Sequence, residues 1–314
     1  MILSVSRRTD IPAFYSEWFF KRVEEGFLYV RNPMNPKQIS KVIISPEETE
    51  FIVFWTKNPS PMLNKLEKLE GYNYYFQFTV NPYDKEIEPE VPKKNIIIKS
   101  FKELSRKIGK KRVIWRYDPI LLNDKIDINY HKIYFEKIAK ELSDYTEKCI
   151  ISFIDMYSKT KKNCSGKNIR ELTEKEKFRL AEHIKEIGEK YNIKIETCAE
   201  KIDLSKYGIE HTKCIDDKLI GEVLGKGISA QKDKSQREEC RCIKSVDIGV
   251  YNSCPNKCIY CYANFSCELV DKNAKLHDIN SPLLIGNVNG DEKITLRKEK
   301  PVVAGKRYIK QRLF

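Results

Sequence analysis

Cys254, Cys258 and Cys261 stand at C-x3-C-x2-C spacing, with Tyr260 directly before the third. Thiolates are soft ligands, and three of them on one short loop reach a common metal centre. They are one fewer than the four that close a structural zinc site or a fully ligated iron–sulfur cluster. The spacing therefore points to a 4Fe–4S cluster with one iron left for a non-protein ligand, zinc being the other occupant that closely spaced cysteines admit. That open corner is where chemistry would occur. Tyr260 and Tyr262 are expected to pack around the cluster, with Tyr260 as the candidate cofactor-binding residue.

The stretch Cys254-Pro255-Asn256-Lys257-Cys258-Ile259-Tyr260-Cys261-Tyr262-Ala263-Asn264 resembles the cluster motif of the radical S-adenosylmethionine (SAM) superfamily. The resemblance implies that the free iron chelates the amino acid part of SAM and that an electron from the cluster cleaves it. It also implies an electron donor such as a ferredoxin or flavodoxin. In that superfamily the motif usually follows the first strand of a barrel. Here it lies in the last fifth of the chain, and no Gly-Gly-Glu segment follows an early strand.

Seven of the ten cysteines crowd between Cys198 and Cys261, with no secretion signal ahead of them, which favours metal binding over disulfides. Apart from the triplet, this region holds Cys198, Cys214, Cys240 and Cys242. Four is the number for a second iron–sulfur cluster or for a structural zinc ion, and thiols with no ligand or only some of one are the third alternative. The C-x-C pair suits a small zinc ribbon poorly, so a second cluster, relaying electrons or binding substrate, is preferred. Cys149 opens an apolar run and is expected to be a buried, inert thiol. Cys164 and Cys267 are expected to have no functional role.

These thiols must be positioned by a scaffold. Apolar runs near Ile2–Ser6, Phe27–Val30, Phe51–Trp55, Tyr74–Val80, Arg112–Tyr117, Cys149–Ile154, Ile193–Thr197 and Val246–Val250 read as eight strands. Helical patterns fall at Phe14–Glu25, Pro61–Leu69, Asn129–Leu142, Thr173–Tyr191 and Asp216–Leu224. The alternation predicts an α/β fold, a (β/α)8 TIM-like or partial barrel with a cysteine-rich C-terminal segment. Residues 1–200 would form the βα-repeat core, 201–264 a cluster-binding segment completing the barrel, and 265–314 an extension that carries a basic tail from Lys306 to Arg312.

In such a fold the site is built at the C-terminal ends of the strands. Charged residues recur there, and Arg7, Arg8, Asp10, Lys57, Arg116 and Asp118 are the candidate catalytic residues. The arginines and lysine would hold an anionic group and the aspartates would orient them or move protons. The bland alternative for each is an internal ion pair bracing the sheet. The pieces Ser4-Val5-Ser6-Arg7-Arg8-Thr9-Asp10-Ile11-Pro12-Ala13, Val30-Arg31-Asn32-Pro33, Phe54-Trp55-Thr56-Lys57-Asn58-Pro59, Arg116-Tyr117-Asp118-Pro119 and Asp247-Ile248-Gly249-Val250-Tyr251-Asn252-Ser253-Cys254 together resemble the family catalogued as domain of unknown function 1848 (DUF1848). That resemblance spans nearly the whole chain and implies no particular reaction.

There is no G-x-G-x-x-G, which argues against a dinucleotide site, and no H-E-x-x-H. His131, His183, His211 and His277 are expected at solvent or in caps. No apolar run nears the ~20 residues that span a bilayer, so a cytoplasmic protein with no membrane partner is expected. The net charge of +13 admits nucleic acid as a partner without favouring it, because the lysines are scattered and form no stripe with aromatics. Three classes of function remain. The leading one is a radical SAM enzyme acting on a small-molecule or modified substrate; the others are a redox protein that does not cleave SAM and a metal-stabilised module that binds nucleic acid.

Overall fold

The structure is a computed structural model, and it describes residues 1–303. The basic tail read at Lys306 to Arg312 lies outside the described residues. In chain order the elements are β1 (Ile2–Val5), α1 (Ile11–Phe14), α2 (Ser16–Glu25), β2 (Phe27–Asn32), β3 (Asn35–Ile43), β4 (Phe51–Thr56), α3 (Ser60–Leu63), β5 (Tyr74–Thr79), α4 (Lys94–Ile108), β6 (Val113–Ile120), α5 (Ile128–Leu142), β7 (Lys148–Phe153), α6 (Ser158–Asn163), α7 (Glu174–Lys190), β8 (Lys194–Cys198), β9 (Glu210–Thr212), α8 (Asp217–Leu224), β10 (Val246–Asp247), α9 (Cys267–Ala274) and β11 (Lys293–Leu296). Local chemistry starts the helices. Thr173 and Glu176 form a reciprocal capping box on α7, and the Asp127 and Asp216 side chains accept the first free amides of α5 and α8.

Eight strands form one parallel sheet in the order β10-β1-β4-β5-β6-β7-β8-β9, so the fold is α/β. Register pairs Ile2 with Phe51, Val53 with Tyr75, Gln77 with Ile114 and Arg116 with Ile150, and side chains alternate along each strand, so these residues share one face. At its N-terminal half this face is filled by Ile2, Phe51, Val53, Tyr75, Ile114 and Ile150. Toward the C-terminal ends it turns polar, with Gln77, Arg116, Ser152 and Cys198. The other face carries Val5, Phe54, Phe76, Phe78 and Trp115 into the core with the helices. Phe54 stacks on Phe76 at 4.5 Å, and Trp115 on Phe135 of α5 at 4.7 Å. Each such buried ring stabilises the fold by roughly 1.5–3 kcal/mol. Burial on both faces is why these strands read as continuous apolar runs.

Among the described residues no ladder joins β9 to β10, so the sheet has two edges. One backbone bond crosses nearby, from the Ile243 amide to the Ile215 carbonyl at 3.3 Å.

The structure corrects the strand list in one place. Phe27–Val30 does not enter the main sheet: β2 turns back at Pro33-Met34 and pairs antiparallel with β3, and β11 adds to β3 in parallel, making a separate three-stranded sheet. A hairpin satisfies the strand's backbone locally, which removes the need for a place in the parallel array. The eighth parallel strand is β9, whose three residues are too short to show a period. His131 is also corrected. It is fully buried, with Nδ1 2.8 Å from the Tyr117 hydroxyl and Nε2 2.8 Å from the Leu121 carbonyl, and burial lowers its pKa to about 4. No helix among the described residues is long and apolar enough to cross a membrane.

Candidate functional site

A cavity of about 430 Å³ opens at the C-terminal ends of the strands. That lies within the roughly 300–1,000 Å³ range of small-molecule sites. Arg7, Arg8, Asp10, Lys57, Arg116 and Asp118 all line it, as do Cys254, Cys258, Cys261 and Tyr260, and Cys198, Cys214, Cys240 and Cys242. Every residue singled out by chemistry in the sequence therefore faces one space, although the chain separates them by up to 254 positions.

The triplet loop is held at this mouth by bonds to distant segments. Asp247 of β10 accepts from the hydroxyls of Ser4 and Ser6, each at 2.7 Å, and from the amides of Arg7 and Gly249, each at 3.0 Å. A Cβ on Gly249 would run into the Ser6 hydroxyl, so only glycine allows the two chains to come this close. Beyond it, the Tyr15 hydroxyl donates to the Ser253 carbonyl at 2.7 Å, Asn264 Nδ2 to the Cys254 carbonyl at 2.8 Å, and the Ile259 amide to the Ile87 carbonyl at 3.1 Å. Burial raises the thiol of Cys254 to about 12 and pushes those of Cys258 and Cys261 upward as well. These thiols stay protonated unless a cationic centre displaces the protons.

Four of the six candidate catalytic residues are paired internally. Asp10 Oδ1 accepts from the Ala13 amide as the N-cap of α1, and Oδ2 accepts from the Lys57 amide at 2.7 Å and from Asn256 Nδ2 at 3.0 Å. It therefore ties β1, β4 and the triplet loop together. Burial dominates its titration and raises its pKa to about 6. Lys57 Nζ reaches Glu88 Oε1 at 2.8 Å and lies 5.6 Å from the centre of the Tyr260 ring. Arg116 donates to Asp118 through Nε at 3.0 Å and also through Nη2, and Asp118 takes a further bond from the Ser152 hydroxyl.

Arg7 and Arg8 keep donors for something else. Arg7 stands over the Trp55 ring at 5.4 Å, and its Nη2 is buried with no partner among the described residues. Burial works against its charge, and the thiol of Cys242, the Asp247 carboxylate and the thiol of Cys214 outweigh that effect. Arg8 lies over Tyr251 at 4.8 Å and donates to the Gly249 carbonyl at 3.4 Å. The side-chain oxygens Asn256 Oδ1 and Asn264 Oδ1, on the triplet loop, are likewise buried and unpartnered. Orphaned buried polar atoms are uncommon, and here a cluster of them borders one cavity.

The second cysteine group is more tightly packed. Cys198 ends β8, Cys214 follows β9, and Cys240 and Cys242 precede β10. The Cys198 and Cys214 sulfurs are 2.9 Å apart, and Cys240 and Cys242 line the same part of the cavity. Cys242 Sγ also accepts from the amides of Cys214 at 3.2 Å and Ile215 at 3.4 Å, and Arg116 Nη1 donates to Cys214 Sγ at 3.1 Å. Bonds from Cys198 and Cys214 lower the Cys242 thiol to about 7, and a bond from Cys242 lowers Cys240 to about 7. No set of three or more His, Cys, Asp or Glu side chains among the described residues stands ready-made around one ion position. In the second group Cys198 and Cys214 are in contact, closer than two ligands of one ion stand. Of the remaining cysteines, Cys149 is buried in β7, as expected, Cys267 is exposed, and Cys164 is buried, its thiol 3.5 Å from the Ile259 carbonyl under the triplet loop.

Sequence reading missed Glu88, Asp247 and Asn256. Glu88 is 1% exposed, accepts from Lys57, Lys94 and the Tyr260 hydroxyl, and lies directly behind the triplet. Burial opposes its charge, but the two lysines prevail and hold its carboxyl at about 2. None of the three sits in a recognisable motif of its own; the one signal was that Asp247 and Asn256 flank or fall within the triplet segment.

No curated protein matches the chain. A solved structure from Bacteroides thetaiotaomicron, provisionally assigned as an alpha-L-fucosidase, aligns with 49% of this chain and with 66% of its own, just under two thirds. Its identity is 13% and its TM-score 0.24, a likeness too slight to carry any argument. The family model described as domain of unknown function (DUF1848) matches residues 2–263, the span that contains the sheet, the cavity and both cysteine groups, and the chain belongs to that family.

Proposed function

We propose that this chain is an iron–sulfur enzyme of the radical SAM type, acting on a small or modified substrate of unidentified structure. The reading takes the parallel sheet as a partial barrel whose mouth is the cavity, and it gives Cys254, Cys258 and Cys261 the task of holding a 4Fe–4S cluster. The observation that carries it is the meeting of this triplet with cationic strand ends and orphaned buried polar atoms on one cavity. In the superfamily that the motif resembles, such a cluster binds SAM at its open iron and supplies the electron that cleaves it.

The chain's own residues divide the remaining work. Arg7 and Arg8 hold an anionic group of the substrate or of SAM by charge-assisted hydrogen bonds, Arg7 through its buried, unpartnered Nη2. The Asn256 and Asn264 oxygens accept hydrogen bonds from a donor in the cavity. Asp10, Lys57, Arg116 and Asp118 act as positioning residues through the bonds described above. Tyr260 keeps the triplet loop against Lys57 and Glu88. The sheet shields the space from solvent on its inner side. A ferredoxin or flavodoxin would deliver the electron, and the scattered lysines give nucleic acid no defined track.

The test is anaerobic reconstitution with iron and sulfide, followed by electron paramagnetic resonance of the reduced protein with and without SAM. A signal that shifts on addition of SAM, with 5′-deoxyadenosine formed under reduction, is the expected result. A cluster indifferent to SAM would leave an electron-transfer protein, and failure to assemble any cluster would remove the reading altogether.

A further inference from the structure

We infer that Cys198, Cys214, Cys240 and Cys242 bind a single zinc ion that staples the open edge of the parallel sheet. The inference is independent of what the triplet holds, and it selects one of the occupants that the sequence leaves open.

Sulfur spacing makes the choice. Four thiolates on one tetrahedral zinc, at Zn–S of about 2.3 Å, have sulfurs about 3.8 Å apart. A four-iron cube spreads its ligands across its corners, far beyond thiol–thiol contact. Here Cys198 meets Cys214 at 2.9 Å, and Cys242 Sγ lies 3.2 Å from the Cys214 amide nitrogen. Widening the Cys198–Cys214 pair by roughly an ångström brings it to the zinc spacing; a cube would require the backbone segments to separate. That separation is opposed at Cys214, whose carbonyl accepts from Tyr75 at 2.5 Å and from Gln77 at 2.9 Å inside the sheet.

The surroundings suit a tetrathiolate. Zinc on four thiolates leaves two negative charges in excess; Arg116 donates to Cys214 Sγ, and Arg7 lines the same cavity. The amides of Cys214 and Ile215 donate to Cys242 Sγ, as a buried thiolate requires. Binding releases the thiol protons to solvent and involves no change of oxidation state.

The location supplies the role. Cys198 and Cys214 belong to the β8–β9 edge, and Cys240 and Cys242 lead into β10 at the other edge. Between these edges the ladder is missing among the described residues, and the bonds that cross run from the Ile243 amide to the Ile215 carbonyl and from the Cys214 and Ile215 amides to Cys242 Sγ. One ion bound to all four thiols joins the two edges where strand pairing does not.

The experiment uses the full chain carrying C254A, C258A and C261A, produced with both zinc and iron supplied and purified without oxygen. One zinc per chain with no iron or sulfide is expected. Iron with sulfide in that variant, or no stoichiometric metal, would overturn the inference. If the triple variant does not fold, wild type serves instead: zinc-edge X-ray absorption should show four sulfur neighbours at about 2.3 Å, and nitrogen or oxygen neighbours would refute the site. Cys240→Ser should lose the zinc while iron content stays unchanged. Zinc content and SAM cleavage are separate readouts, so failure of this site and failure of the proposed activity are told apart.

Discussion

Cys254, Cys258 and Cys261 come from one loop of eight residues, whereas Cys198, Cys214, Cys240 and Cys242 come from three stretches of chain that meet only in the folded sheet. The first group lines the cavity, its thiols kept protonated by burial. The second is drawn together, and two of its thiols are lowered to about 7 by their neighbours. Local spacing is enough to prepare a set of ligands when the loop itself dictates their separation. When ligands come from distant segments, the fold sets the separation. Both groups face the same cavity, so the contrast is one of architecture and not of location.

The sharpest way to break the comparison is to remove one triplet thiol. Cys258→Ala should abolish iron binding and lower SAM cleavage at least about a thousandfold, since two thiolates do not hold the cluster; zinc and the thermal midpoint should barely move. Loss of both metals together would mean that the two groups form one site. The reciprocal change, Cys214→Ser, should release the zinc and destabilise the chain by about 5 kcal/mol, because a structural metal's binding energy is folding energy. Iron at the triplet, measured at low temperature, should persist.

Glu88→Gln tests whether the triplet depends on the charge behind it. The folded Glu88 carboxyl is held at about 2 against an ordinary 4.5, so it binds fewer protons folded than unfolded. The stability it confers, about 3 kcal/mol, is present above pH 4.5 and fades as pH falls toward 2. Chemical denaturation of both proteins from pH 7 to pH 3 should show the difference shrinking, and a gap independent of pH would remove the charge from the account. The smallest effect should come from Tyr260→Phe, which loses one hydrogen bond to Glu88 and costs about 1 kcal/mol; a large loss of cluster would instead give the hydroxyl a direct part in holding it.

Much of this was legible in the chain. Phe51–Trp55 and Cys149–Ile154 announce themselves as parallel strands because both faces are buried, and the triplet announces itself because its geometry is local. Arg7, Asp10, Lys57 and Arg116 were legible as strand-end charges, but not their partners. Whether Lys57 meets a substrate or Glu88 depends on a contact between segments 31 residues apart, and periodicity carries no trace of it. β2 was misplaced for the same kind of reason, since a strand's pattern does not name the sheet it joins. Glu88 and Asp247 look like surface acids in sequence; only the surrounding lysines and hydroxyls make them interior supports.

Asp247 gathers Ser4, Ser6 and Arg7 from the opposite end of the chain, on a strand only two residues long. During synthesis, the first strand therefore waits for its last neighbour until some 240 further residues have left the ribosome. The loop with the three cysteines follows at once and is braced by the same contacts. The order of maturation is thereby set: the sheet assembles first, and any cofactor at the triplet is loaded after it.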